Sequence, residues 1–285
     1  VKPSYITDDF LDHFISEALK EDVGDGDHSS LASISAETQS RARLLVKDEG
    51  ILAGVEIAEK ILHKVDPSLS ISVDKADGSI VKVGDVAFTV SGCARSILTA
   101  ERLVLNTMQR MSGIATRTKQ LVSLLSGTKT KILDTRKTTP NFRLLEKWAV
   151  LIGGGHNHRI GLYDMVMLKD NHVDMAGGIK KAIEDTNHYL RATKKHLKIE
   201  IETRSLAEVQ QVLETGNIDI IMLDNMTPDM MTKAVQLIGG KYLTEASGGI
   251  TEATIRKVAE TGVDYISVGA LTHSYKSLDL SLKAF

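Results

Sequence analysis

Several stretches of the chain bring together side chains that can bind or transfer charged groups. Asp134-Thr135-Arg136-Lys137-Thr138 follows one apolar run, Lys169-Asp170-Asn171-His172 another, and Glu202 and Asp224-Asn225 close two more. Glu245-Ala246-Ser247-Gly248-Gly249 and Ser267-Val268-Gly269-Ala270 complete the set. Its cations are Arg136, Lys137, His158, Arg159 and Lys169. Arginine offers a planar fork matched to a carboxylate, and lysine a compact charge. Gathering so many positive groups in one pocket costs self-repulsion unless an anion binds there. The pattern therefore points to a substrate bearing more than one carboxylate or phosphate. A structural ion-pair network with Asp134, Glu202 and Asp224 is the competing reading. Ser247-Gly248-Gly249 leads toward a helix near Thr251, and Gly269-Ala270 follows the last run. Glycine lets bare backbone N–H groups approach a phosphate, and a helix N-terminus favours the anion. The alternative there is a pair of ordinary tight turns.

Other chemistries fit less well. Lys169 at a strand end could act as a Schiff-base nucleophile, which keeps a lyase open. His156 and His158 lack the spacing of a helical zinc motif and have no accompanying glutamate base. Gly153-Gly154-Gly155 matches neither a nucleotide P-loop nor a dinucleotide fingerprint, and reads as a mobile loop. Gly24-Asp25-Gly26-Asp27 lacks the spacing and the closing glutamate of a calcium loop. Cys93 stands beside no His or Asn and reads as a small buried residue.

Strands that all end on one side of a parallel sheet would position such residues. The apolar runs 131–134, 165–169, 199–202, 218–224, 242–245 and 265–269 supply them, with helical patterns between, as at 205–214 and 252–260. A complete eight-unit barrel takes ~250 residues. The 155 residues of 115–269 suit an abbreviated parallel α/β barrel of six or seven strands. The N-terminal third mixes elements. Thr7 caps a helix with an apolar stripe from Phe10 to Leu19, and β-like runs follow at 42–46, 71–73, 80–83 and 86–90. A long helical pattern opens at Thr99 and is expected to break or bend near Gly113.

Composition bounds the function. Thirty-five basic and 37 acidic side chains give a net charge of −2, which disfavours a protein that grips nucleic acid over its whole surface. One cysteine permits no internal disulfide and suits a reducing compartment. No apolar run approaches the ~20 residues of a membrane helix, and the first residues lack the apolar core of a secretory signal. The expectation is a cytoplasmic protein, although the missing initiator methionine leaves room for a trimmed leader.

The motifs are also distinctive as a set. The stretch from Leu133 to Pro140, Gly153-Gly154-Gly155-His156-Asn157-His158-Arg159-Ile160-Gly161-Leu162, Leu168-Lys169-Asp170-Asn171-His172, Leu223-Asp224-Asn225 and the two glycine ends together resemble the quinolinate phosphoribosyltransferase family. The resemblance runs from Glu21-Asp22 through Thr99-Ala100-Glu101-Arg102 to the C-terminus. It implies reaction of quinolinate with phosphoribosyl pyrophosphate to give nicotinate mononucleotide, pyrophosphate and carbon dioxide, feeding NAD synthesis. It further implies an N-terminal open-faced α/β sandwich (1–112, joined by 272–285) and a C-terminal incomplete α/β barrel (113–271). The family forms head-to-tail homodimers, some assembling into hexamers, and Arg102 matches the arginine contributed across that interface. Arg136, His158, Arg159 and Lys169, with Thr135 alongside, match the quinolinate-binding cluster. Lys137, Glu202 and Asp224 match positions around the phosphoribosyl group and its Mg2+, which substrate phosphates mainly hold. Ser247, Gly248, Gly249 and Gly269 match the 5′-phosphate cradle. Lys137, Lys169, Glu202 and Asp224 are the residues implied in catalysis. A related phosphoribosyltransferase for another aromatic acid, and a phosphate-sensing module without turnover, are the remaining alternatives.

Overall fold

The computed structural model describes residues 2–285. Thr7 accepts a hydrogen bond from the Phe10 amide and opens α1, Asp8–Val23, which buries Leu11 and Ile15. Asp27 belongs to the acidic turn beyond it. Its carboxylate accepts from the Ser30 amide and caps a short helix, α2, His28–Ser33. That acid has a local structural task. Next come β1, Gln39–Val46, β2, Gly50–Ile51, and α3, Val55–Val65, followed by β3, Ser70–Val73, β4, Ile80–Val81, and β5, Val86–Cys93. Alternation in β1 buries Ala42, Leu44 and Val46 on one face. Cys93, expected to be buried, is a half-exposed free thiol at the end of β5.

Helix α4 runs Ala94–Leu124, starting ahead of Thr99 and passing through Gly113 without a break. A Cβ at Gly113 would lie 2.2 Å from the Lys276 carbonyl oxygen. The glycine admits the returning C-terminal segment against the helix; it does not break it. After β6, Lys131–Leu133, comes α5, Arg143–Ile152, ending at Gly153. The expected mobile loop there is packed instead. A Cβ on Gly153 would lie 2.4 Å from the Ala115 carbonyl oxygen, and Gly153 and Gly155 are buried.

The remaining elements alternate. They are β7, Val166–Leu168, α6, Asp170–Ala176, α7, Ile179–Ala192, β8, Ile199–Thr203, and α8, Leu206–Thr215. Then follow β9, Ile220–Asp224, α9, Pro228–Ile238, β10, Leu243–Ser247, α10, Glu252–Ala259, β11, Tyr265–Ser267, α11, Ala270–His273, and β12, Leu280–Ala284.

Two compact units result. One gathers the chain up to Lys119 with Thr138–Gly154 and Ala270–Phe285. It holds an antiparallel sheet in the order β12-β1-β5-β3, with β12 bringing the chain end back beside β1. The other unit comprises Gln120–Lys137 and Gly155–Gly269. Its sheet is parallel throughout, in the order β6-β11-β10-β9-β8-β7. Burial on both faces explains its continuous apolar runs, such as Ile220-Ile221-Met222-Leu223. β6 and β7 are consecutive strands yet stand at opposite edges, so the six-stranded barrel is incomplete. At the open edge of β6 the His156 amide donates to the Ile132 carbonyl at 2.8 Å, forming a parallel bridge with Leu133. The segment 156–159 is thereby laid along that edge.

Candidate active site

Period-two alternation determines which side chains share the barrel face. Glu200 and Glu202 lie on one face of β8, and Glu245 and Ser247 on one face of β10. Pairing sets Glu202 level with Met222 and Ser247 level with Asp224. The strand ends hold the polar residues read from sequence.

Glu202 and Asp224 meet there, beside Lys169. Burial, and next the charge of Asp224, push the Glu202 carboxyl up to about 7; Asp170 adds to the rise and Lys169 opposes it. Two carboxylates so close are short of positive charge. The chemistry of Glu202 and Asp224 would suit a divalent cation.

The cations form a second grouping. Arg159 is 9% exposed, and its guanidinium reaches the Met165 carbonyl oxygen at 3.4 Å. Burial, and next the Arg136 charge, hold the Arg159 proton affinity below its ordinary value, while Glu200 and Asp164 oppose that shift. Arg136 and Arg159 therefore stand near enough to repel. Asp164 also accepts the Ile160 and Gly161 amides at 2.7 and 2.8 Å, closing the turn after Arg159. Thr135 is half-buried and accepts the Lys137 amide at 3.0 Å; Lys137 is exposed.

His158 lies deeper than a simple surface cation. Its side chain is 7% exposed, with Nε2 2.8 Å from Glu200 Oε2 and 3.3 Å from Glu245 Oε2. Both glutamates are fully buried. Burial alone would depress the imidazole, but the hydrogen bonds and charges of Glu200 and Glu245 outweigh it and push the ring up to about 10. Burial, and next Glu245, push Glu200 up to about 7. The His158 amide donates to Asp134 Oδ1 at 2.9 Å, and Asn157 donates to Asp134 Oδ2 at 2.6 Å.

The glycine end is equally specific. Gly248 and Gly249 have φ of +93° and +62°, conformations that L side chains rarely adopt. Asn225 is itself left-handed, at φ 52°. Its amide donates to the Ser247 carbonyl at 2.8 Å, and its Nδ2 donates to Asp224 Oδ2 at 2.6 Å. Thr251 and Thr254 exchange hydrogen bonds at the start of α10. Gly269 is half-buried just ahead of α11. Arg102 is exposed on α4 in the other unit.

The sequence names Glu245 and Asn225 only as members of strand-end stretches, and gives Glu200 and Asp164 no role. For Glu200 a signal existed: Ile199-Glu200-Ile201-Glu202 puts two acids on one face of an otherwise apolar strand. Asn225 stands out only as part of the Asp224-Asn225 strand end, and its left-handed backbone is invisible in residue type alone.

Known proteins with the same features can be compared directly. Residues 27–112 match the N-terminal domain model, and residues 114–283 the C-terminal domain model, of quinolinate phosphoribosyl transferase. A chloroplastic nicotinate-nucleotide pyrophosphorylase [carboxylating] of Oryza sativa subsp. japonica is 49% identical over 99% of this chain and 79% of its own length. A probable enzyme of that name from Bacillus subtilis is 42% identical over 95% of this chain and 91% of its own. The crystal structure of NadC from Streptococcus pyogenes superposes with a TM-score of 0.93, at 40% identity, over 98% of this chain and 97% of that one.

Proposed function

The chain belongs to the quinolinate phosphoribosyltransferase family, and we propose that its strand-end residues carry out that family's reaction in named roles. The enzyme transfers the phosphoribosyl group of phosphoribosyl pyrophosphate to quinolinate, giving nicotinate mononucleotide, pyrophosphate and carbon dioxide for NAD synthesis. The observation that supports the reading of the site is two like-charged groupings in the barrel unit: Arg136 lies within electrostatic reach of Arg159, and Asp224 of Glu202.

Arg136 and Arg159 bind the two neighbouring carboxylates of the pyridine diacid, with His158, Lys169 and Thr135 lining the same end. The 5′-phosphate lies on the backbone of Ser247-Gly248-Gly249 and Gly269, at the approach to α10. As the C1–oxygen bond to pyrophosphate breaks, its electron pair leaves with pyrophosphate and positive charge grows on the ribose. Carboxylates held at Glu202 and Asp224 stabilise that charge without reorganising. Lys137 attracts the departing phosphates. Glu202 and Asp224 are the residues that would hold Mg2+, which would supply charge neutralisation for the leaving pyrophosphate. The pyridine nitrogen's lone pair forms the new bond to C1. The resulting pyridinium withdraws electrons from the adjacent ring carbon. The bond to the 2-carboxylate then breaks, its pair remains on that carbon, and a proton replaces the lost carbon dioxide.

Supporting a homodimer that receives Arg102 from its partner is that residue's exposure on α4 and its match to the family's interface arginine. Among the described residues no helix is long and apolar enough to cross a membrane. A cytoplasmic placement is supported by the free Cys93, which suits a reducing compartment, although the Oryza sativa relative is named chloroplastic.

The test is substrate strictness. With phosphoribosyl pyrophosphate and Mg2+, pyridine-2,3-dicarboxylate should release pyrophosphate, while the 3-carboxylate alone should not. Turnover of both at equal rates would move the assignment to a phosphoribosyltransferase for another aromatic acid.

A further inference from the structure

Two fully buried glutamates, Glu200 and Glu245, meet at one ring nitrogen beneath the strand ends. Burying two carboxylates is costly unless they are paired, and here the partner is the single nitrogen of His158. Their ligand-bearing atoms and that nitrogen lie within 4.8 Å of one another. The two acids come from β8 and β10, on either side of β9, while His158 comes from the segment laid along β6. The cluster therefore ties the free edge of the incomplete barrel to its opposite strands.

What hangs from that tie is Arg159. It follows His158 directly and stands close to Arg136. Two guanidiniums near one another repel, so an empty site tends to drive them apart. Glu200 opposes that tendency from below, because its charge also acts on Arg159. Asp164 fixes the other side of the same turn.

We propose that Glu200 and Glu245 are positioning residues: by clamping His158 they hold Arg159 beside Arg136, at the separation that two adjacent carboxylates require. The inference rests on the reading of Arg136 and Arg159 as the diacid site. Neither glutamate touches substrate. Their contribution is discrimination between an aromatic diacid and a monoacid, because only the diacid needs both forks at once.

The test uses Glu200→Gln and Glu245→Gln, which keep side-chain shape. Steady-state kinetics vary each substrate with the other saturating, and binding titrations compare pyridine-2,3-dicarboxylate with pyridine-3-carboxylate. The expected result is a KM for quinolinate raised about tenfold or more, with the KM for phosphoribosyl pyrophosphate changed less than about twofold. Preference for the diacid over the monoacid should fall by a similar factor. Equal rises in both KM values, or unchanged diacid preference, would overturn the proposal. If the variants do not fold, 15N NMR of the wild-type enzyme at pH 8 decides. A proton on His158 Nε2 supports the clamp, and a bare Nε2 contradicts it. Wild-type enzyme that binds neither acid would instead refute the reading of the diacid site itself.

Discussion

Substitution of Gly248 by alanine tests how the glycine cradle and the acid pair are connected. At φ +93° an L residue is strained by about 1–2 kcal/mol. Its Cβ would also lie 2.2 Å from Asn225 Oδ1 and 2.5 Å from Asn225 Cγ. Asn225 cannot swing away freely, since it is short, left-handed and bonded to Asp224. Making room adds about 1–3 kcal/mol, as overpacking does elsewhere. The total for Gly248→Ala is about 2–5 kcal/mol. Gly249 is the internal control: at φ +62° with nothing within 4 Å, its replacement carries only the backbone term of about 1–2 kcal/mol. Asn225→Gly removes the obstructing amide and suits a left-handed backbone. In that background Gly248→Ala should cost no more than Gly249→Ala, a coupling of about 1–3 kcal/mol. Urea unfolding followed by circular dichroism measures the cycle, and titration with phosphoribosyl pyrophosphate shows whether displacing Asn225 also weakens the sugar-phosphate end. Equal costs at Gly248 and Gly249, or additivity with Asn225→Gly, would refute the argument.

Three further outcomes follow from the charges. The folded enzyme keeps the His158 proton to about pH 10, whereas an unfolded chain releases it near 6.5, so this group's stabilisation is lost as pH rises between those values. The urea midpoint of His158→Gln should therefore fall less from pH 7 to pH 10 than that of the wild type; parallel curves would count against the clamp. Glu202 holds its proton to about 7 against an ordinary 4.5, so its contribution declines as pH rises through that window. Removing the neighbouring charge with Asp224→Asn should flatten the decline and lower the Glu202 titration seen by 13C NMR, and an unmoved titration would show that burial alone sets it. Arg136→Ala should weaken quinolinate binding far more than phosphoribosyl pyrophosphate binding, and equal losses in calorimetric titration would disprove that division of the site.

Much of the barrel was legible because parallel strands advertise themselves twice, as apolar runs and as polar termini. Each of the six proposed runs overlaps a strand of the parallel sheet, and Glu202, Asp224 and Lys169 are brought together where those strands end. The errors came where tertiary contact overrides local propensity. Gly113 reads as a helix breaker, yet the Lys276 carbonyl packed against it gives the glycine a reason inside a continuous helix. Gly153 reads as loop and is packed for the same kind of reason. The sequence presents His158 as one of several cations around a ligand. Only the fold shows Glu200 and Glu245, 45 residues apart in the chain, converging on its ring. Spacing along a sequence carries no information about which buried acid meets which base.

The most direct measurement is a product balance. The enzyme is incubated with quinolinate labelled in its 2-carboxylate, phosphoribosyl pyrophosphate and Mg2+, with controls lacking each of the last two. Labelled carbon dioxide and nicotinate mononucleotide should appear in equal amounts, and neither should form in the controls. Nucleotide formed without carbon dioxide, or carbon dioxide released without phosphoribosyl pyrophosphate, would contradict the coupling of transfer to decarboxylation on which the account rests.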